Sequence, residues 1–460
     1  MAFATLLLPG CGVSKLYTQY EREGVEFVDS LYRRLPDLKQ DSTSIASLAW
    51  TDFFDDPILQ EWIRLGIEHN TDLAVARLRV EQAQASLWEA GRAFFPGASV
   101  SFSTSGGFPG NGTQTFRMAP TFSWEADIFG KVANSKRKAA AALEQSDAYR
   151  QAVQAQLVAT IAESYYRLLM LDEQLAISER TLKTWEENIS TLEALKRAGK
   201  TNEAAVLQAK ANRLDVQNNV YNLYQKIFEA ENSFAALLGT VPFKIERGKL
   251  GEQTFQHDYF SGGVPAAILS NRPDVRQAEM ALAQAFYATN ISRASFYPRL
   301  NLTGDMFNPA GFILQLTATL SQQLYAKGVN KANLRRAEAE QSIATYQFRQ
   351  SLLDAGVEVN NALIAVKTAS SRMKIDRKQI VHLQAAVWNI KLLMKRGSTN
   401  YLEVLTAQQN LLDAELTCIS DRYDQIISII TLYKALGGGY DPAEDAPAET
   451  PKRKTKRADK

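Results

Sequence analysis

Cysteine is nearly missing from these 460 residues: Cys11 and Cys418 are the only two, too few for a disulfide framework. Histidine is almost as scarce, and His69, His257 and His382 lie too far apart to form a metal-ligand pattern. Charge of one sign is lacking as well. The 52 basic and 50 acidic residues leave a net +2, so there is no global field of the kind that favours nucleic acid. No apolar run reaches the length of a membrane-spanning helix, so contact with a membrane falls to strands or to a lipid. A Walker-type phosphate loop, a Ser-His-Asp order and an ion-binding cluster are all absent. Together these absences argue against an enzyme, a resident metal or cofactor, and any process the chain powers by itself.

What the long stretches lack is more informative still. Lys131 to Ala198 is 68 residues without one Gly or Pro. Read as a helix it is roughly 100 Å long at 1.5 Å per residue, several times an ordinary globular helix. An apolar seam runs along it through Leu168, Leu171, Leu175, Ser178, Leu182, Trp185, Ile189 and Leu192, in steps of 3 and 4. At an offset of 198 residues the seam recurs as Val366, Ala369, Met373, Asp376, Ile380, Leu383, Val387 and Ile390. Even the polar interruption recurs, Ser178 in one copy and Asp376 in the other. The second stretch, Val329 to Arg396, is again 68 residues, with Gly356 alone breaking the rule. Such a self-match indicates a duplicated unit built round a very long helix.

From the N-terminus, residues 1–11 read as the end of a secretory signal, and Leu8-Pro9-Gly10-Cys11 resembles a lipobox whose cysteine is acylated. The apolar run lacks a basic segment before it, which points to a start upstream of Met1. Residues 12–56 form a polar leader. A first repeat spans 57–240, a Gly-containing connector 241–264, a second repeat 265–439, and a tail 440–460 whose Pro, Glu and Lys content predicts disorder. In the first repeat, helical periodicity runs from Pro57, with Asp56 as its cap, to Phe95-Pro96. Each long helix ends in a short turn, Gly199–Asn202 or Gly397–Asn400, with glycine suited to a left-handed cap and Thr201 or Asn202 to the next start. The returning helices, 201–238 and 399–436, are then antiparallel to the long ones.

Ahead of each long helix the period changes to two. Strands are predicted over about 98–105 and 115–124, and again over about 299–306 and 312–320. Val100, Phe102, Phe116, Met118, Phe122 and Trp124 alternate with small polar residues in the first hairpin; Leu300, Leu302, Leu314, Leu316 and Leu320 do so in the second. This pattern fits transmembrane hairpins, and it also fits a soluble hairpin with one wet face. Four strands cannot close a membrane barrel, whose smallest members have about eight. Strands that span must therefore be pooled from several chains, two giving 8, three 12 and four 16; the number itself does not follow.

Motifs in order along the chain narrow the choice. They are Trp50 with Phe54-Asp55-Asp56-Pro57, Asn70-Thr71-Asp72-Leu73, Phe95-Pro96, Trp124-Glu125-Ala126-Asp127-Ile128-Phe129-Gly130, Asn271-Arg272-Pro273-Asp274-Val275-Arg276 and Tyr297-Pro298. In this order and spacing the chain resembles the TolC-like outer-membrane efflux family, in its NodT-type lipoprotein subgroup. The resemblance covers nearly everything after residue 50. It implies a mainly α protein with a membrane β part: a homotrimer with a 12-stranded β-barrel in the outer membrane of a Gram-negative bacterium, continued by a periplasmic α-helical barrel. It further implies a lipid anchor at Cys11, a periplasmic adaptor protein and an inner-membrane RND-type pump. In the family the helix–helix turns form the periplasmic tip, here Gly199, Asn202, Gly397 and Asn400. Pore-facing carboxylates often follow the second turn. Glu403 matches one such position and Thr406 occupies the other, so the acidic pair is half present; an exposed helix glutamate is the plainer reading of Glu403.

A passive exit duct for efflux is the function this implies. The duct of a type I secretion system and a structural coiled-coil envelope protein remain as alternatives, and the cargo is not readable. If Cys11 is the acylated residue, Cys11→Ala abolishes incorporation of labelled palmitate in cells; undiminished incorporation contradicts the assignment.

Overall fold

The computed structural model describes residues 14–21, 49–105, 115–254, 272–307, 313–321, 328–396 and 401–439. Cys11, Gly397, Asn400, residues 265–271 and the tail from 440 lie outside them. In chain order the elements are α1 (Trp50–Phe53), α2 (Pro57–His69), α3 (Thr71–Arg92), β1 (Gly97–Ser105), β2 (Thr115–Ala126), α4 (Lys131–Arg197) and α5 (Glu203–Leu237), then α6 (Pro273–Ala294), β3 (Arg299–Phe307), β4 (Ile313–Ser321), α7 (Val329–Lys395) and α8 (Tyr401–Ala435). The long helices α4 and α7 have 67 residues each, and the returning helices α5 and α8 have 35 each. The duplication is thus visible in the paired hairpins and the paired long and returning helices, and the described residues are mainly α with one sheet.

One element differs from its periodicity. The pattern from Pro57 to Pro96 reads as one helix, but the chain breaks at Asn70, whose ψ of 128° is extended. The asparagine's backbone N–H closes α2 on the Gly66 carbonyl, and its side chain caps α3 and reaches α5. Its Oδ1 accepts from the Leu73 N–H at 3.0 Å, and its Nδ2 donates to the Leu237 carbonyl at 2.9 Å. No Gly or Pro announces this break; a side chain able to cap one helix and bond another replaces them.

The described residues fall into two compact units, and both long helices contribute to each. In the first unit, containing residues 75–150 and 270–354, the four strands form one antiparallel sheet of order β1-β2-β3-β4. Its supporting contacts come from the motifs named above. The Trp124 indole N–H donates to the Phe94 carbonyl at 2.9 Å. Phe129 stacks on Tyr297 with centroids 4.8 Å apart. The Asp127 carboxylate accepts from the Val132 and Ala133 N–H groups at 3.0 and 2.7 Å, capping the start of α4. Gly130, at φ 70°, makes the turn between strand and helix.

In the second unit, α4, α5, α7 and α8 pack along the predicted seam. Leu168, Leu171, Ser178, Trp185 and Leu192 are buried on α4, and Ala369, Met373 and Val387 on α7. Here Asp56 does more than cap α2. One oxygen accepts from the Ile58 N–H, while the other accepts from the Tyr165 hydroxyl at 2.7 Å and the Gln253 amide at 2.9 Å. Phe53 stacks on Tyr433 at 3.9 Å, joining the leader to α8.

Asn70→Ala tests the break directly. Losing a side-chain cap costs roughly 1 kcal/mol, with the bond to Leu237 lost in addition, so the thermal unfolding midpoint falls; a midpoint equal to that of the unaltered protein contradicts the role assigned to Asn70.

Candidate functional site

The sheet is where the chain can meet lipid. Its register places even-numbered residues of all four strands on one face: Phe102 opposite Met118, Val100 opposite Pro120, Ala98 opposite Phe122, Trp124 opposite Leu302, and Leu300 opposite Leu320. Every one of these is apolar. The odd face carries Ser99, Ser101, Thr121, Ser123, Glu125, Asn301, Thr303, Thr317 and Thr319. The apolar face is uncovered, with Phe102 77%, Leu320 68% and Met118 62% exposed. Exposed apolar rows of this density are what a hydrocarbon solvent selects. The strands have 9, 12, 9 and 9 residues, close to the 9–11 or so of a tilted transmembrane strand. Among the described residues the outer edges of β1 and β4 have no strand partner. No described helix is long and apolar enough to cross a membrane.

The first helix–helix turn is built as a glycine cap. Gly199 stands at φ 67°. The Lys200 N–H donates to the Leu195 carbonyl at 2.9 Å and the Gly199 N–H to that of Lys196 at 3.0 Å, which is the Schellman pattern. Of the two residues proposed for the next cap, Asn202 takes the role: its Oδ1 accepts from the Ala205 N–H at 3.0 Å. Three ion pairs then tie α4 to α5: Lys196 with Glu203, Lys210 with Glu193 at 2.8 Å, and Arg213 with Glu186 at 2.8 Å. The hydrogen bond from Lys210 lowers the Glu193 carboxyl below its ordinary range, and the same bond raises the Lys210 ammonium.

On the second hairpin, Glu403 and Thr406 are both exposed, one turn apart at the start of α8. The Thr406 hydroxyl donates back to the Leu402 carbonyl at 3.0 Å. Gly397 and Asn400 lie outside the described residues, as does Cys11. Beside Glu403, a cavity of about 340 Å³ opens between α4, α7 and α8, lined by Asn188, Trp388, Leu392, Tyr401 and Val404. Burial pushes the Tyr401 phenol well above its usual range. No group of three or more His, Cys, Asp or Glu among the described residues is placed to hold a metal.

A second periodicity lies outside the seam. On α5, Leu207, Leu214, Tyr221 and Phe228 recur every seven residues and are 56, 54, 63 and 66% exposed. On α7, Ile364, Ile375, Val381 and Trp388 are exposed too. A second apolar stripe, on helices whose seam is already packed, needs a partner beyond the described chain.

Comparison with known proteins agrees with this geometry. The model of the outer membrane efflux protein family matches residues 62–240 and 264–438, one match per repeat. The cation efflux system protein CusC of Escherichia coli O6:H1 is 26% identical over 95% of this chain and 97% of its own. The toluene efflux pump outer membrane protein TtgC of Pseudomonas putida is 28% identical, over 88% of this chain and 89% of its own. Among solved structures, the open state of the MtrE outer membrane channel of Neisseria gonorrhoeae superposes with a TM-score of 0.82 at 27% identity, covering 92% of this chain and 98% of MtrE. With both repeats matched over more than half of its length, this chain belongs to the outer membrane efflux protein family.

Proposed function

We propose that the protein is the passive exit duct of a tripartite efflux system, working as a homotrimer whose 12 pooled strands close a barrel. A periplasmic adaptor protein and an inner-membrane RND-type pump bring the cargo and the energy. The observation behind this reading is the four-stranded sheet with one mostly apolar face and, among the described residues, no strand partner at either outer edge. Lipid does not tolerate such edges, since each unsatisfied backbone group costs several kcal/mol there, and copies of the same chain are the nearest source of complementary strands.

The exposed stripes support the same assembly. Tyr221 and Phe228 on α5, and Trp388 on α7, are large side chains whose full burial is worth roughly 1.5–3 kcal/mol each. A sister chain packed on these faces would supply that burial. At the tip, Glu403 repeated by threefold symmetry makes a carboxylate ring, which favours cations in a constriction; Thr406, in contrast, adds only a hydroxyl. Gly199, Asn202, Gly397 and Asn400 shape the turns that meet the adaptor, and an acylated Cys11 holds the chain to outer-membrane lipid. Cargo selection belongs to the pump in this reading: CusC and TtgC are named for cations and for toluene, yet stand at 26 and 28% identity to this chain.

Deleting the gene is expected to raise susceptibility to at least one class of toxic compound, with the protein recovered from outer membranes as a heat-labile trimer. Unchanged susceptibility across metals, dyes, solvents and antibiotics, or a water-soluble monomer in the periplasm, overturns the reading. Tyr221→Glu combined with Phe228→Glu shifts the detergent-solubilised trimer toward monomer in sedimentation; a trimer of unaltered stability removes the stripe from the interface.

A further inference from the structure

The two helical hairpins hold their ends together by different means. In the first, ion pairs join α4 to α5 beside the turn: Lys196 with Glu203, and Lys210 with Glu193 at 2.8 Å. The helices of the second hairpin have the same lengths and begin 198 residues later, so every position has a counterpart. Met394 and Tyr401 stand where Lys196 and Glu203 do, an uncharged pair. Lys391 and Gln408 stand where Glu193 and Lys210 do, which leaves a cation with no carboxylate in the matching place. Among the described residues Lys391 makes no ion pair. Gln408 is engaged elsewhere, since its Oε1 accepts from the Asn188 amide of α4 at 2.7 Å.

The cavity of about 340 Å³ between α4, α7 and α8 opens at these same residues, with Lys391, Met394 and Tyr401 in its lining. Small-molecule sites span roughly 300–1,000 Å³ and are mostly apolar with a few polar groups. Leu392, Met394 and Val404 give this one its apolar wall, and the exposed Trp388 borders its opening. Two polar groups join them. One is the Lys391 ammonium. The other is the Tyr401 hydroxyl, on a side chain only 7% exposed. Its one hydrogen bond among the described residues goes to the Asn188 carbonyl at 3.5 Å, the outer limit for such a bond. A buried O–H held so loosely favours a nearer acceptor. A cation and an O–H donor in one apolar space complement a flat apolar body that carries a single carboxylate.

We propose that this cavity binds a small aromatic carboxylate. Its anionic group meets Lys391 and the Tyr401 hydroxyl, and its ring packs on Leu392, Met394 and Val404. Such a ligand touches α4, α7 and α8 together. It therefore supplies from outside the ionic tie that the first hairpin builds from its own side chains, and it tightens the second hairpin alone. The inference goes beyond the exit-duct reading and is independent of it, since it needs no cargo, pump or adaptor.

Calorimetric titration of the purified full-length protein in detergent with 1-naphthoate tests this, with 1-naphthamide as the uncharged counterpart. The expected result is one saturable site per chain for naphthoate, with a raised thermal unfolding midpoint when it is filled. Naphthamide is expected to bind about tenfold more weakly, because the charge-assisted bonds are lost. Lys391→Gln, a change at a partly exposed side chain, weakens naphthoate by a similar factor and removes the preference between the two compounds. Leu392→Trp fills the cavity from its wall and abolishes binding of both. Tyr401→Phe weakens naphthoate while sparing naphthamide. Absence of a saturable site, uptake that follows detergent rather than protein, equal affinity for acid and amide, or a site unchanged in Lys391→Gln and Leu392→Trp overturns the proposal.

Discussion

A strand in hydrocarbon cannot leave its edge amides and carbonyls without partners, and this constraint governs the rest of the molecule. Among the described residues there are four strands, mostly apolar on one face, in the order β1-β2-β3-β4, with β1 and β4 lacking a strand partner on their outer sides. No arrangement of four strands closes on itself at barrel size. The duplication gives the physical origin of this number: each repeat provides one hairpin. Two hairpins join through β2 and β3, where Thr121 lies opposite Asp305 and Ala126 opposite Leu300. In the proposed assembly, closure is left to other copies.

Much of this was legible in the residues because the relevant signals are local. A run of 68 residues without Gly or Pro leaves few alternatives to a long helix, and α4 with 67 residues occupies almost all of it. Strict alternation around Val100 and Phe102 fixed the face of β1 as well as its existence. The signal at Gly199 was equally local, since a left-handed residue at a helix end favours glycine.

What escaped reading depends on contacts far apart in sequence. The break at Asn70 is held by Leu237, 167 residues away. Asp56 was readable as a cap, but not as the acceptor for Tyr165 and Gln253, which come from other elements. The strand order could not be read, because β2 and β3 are separated by α4, α5 and α6. Ser178 and Asp376 were visible as matched interruptions of the seam, whereas the Asn219 amide that Ser178 meets appears only in three dimensions. The exposed row from Leu207 to Phe228 was legible in its spacing of seven, but the seam was read on the long helices and not on α5.

Shared sheet closure is the central claim, and a cross-link between edges tests it most directly. Ser101 lies on the outer strand β1 and Thr319 on the outer strand β4. With both changed to cysteine, in a Cys418→Ser background, oxidation in intact outer membranes is expected to join chains to one another, giving covalent dimers and trimers on a denaturing gel that reductant dissolves. Oxidation that produces only singly sized chains, under conditions where both cysteines prove accessible to thiol reagents, would contradict the account.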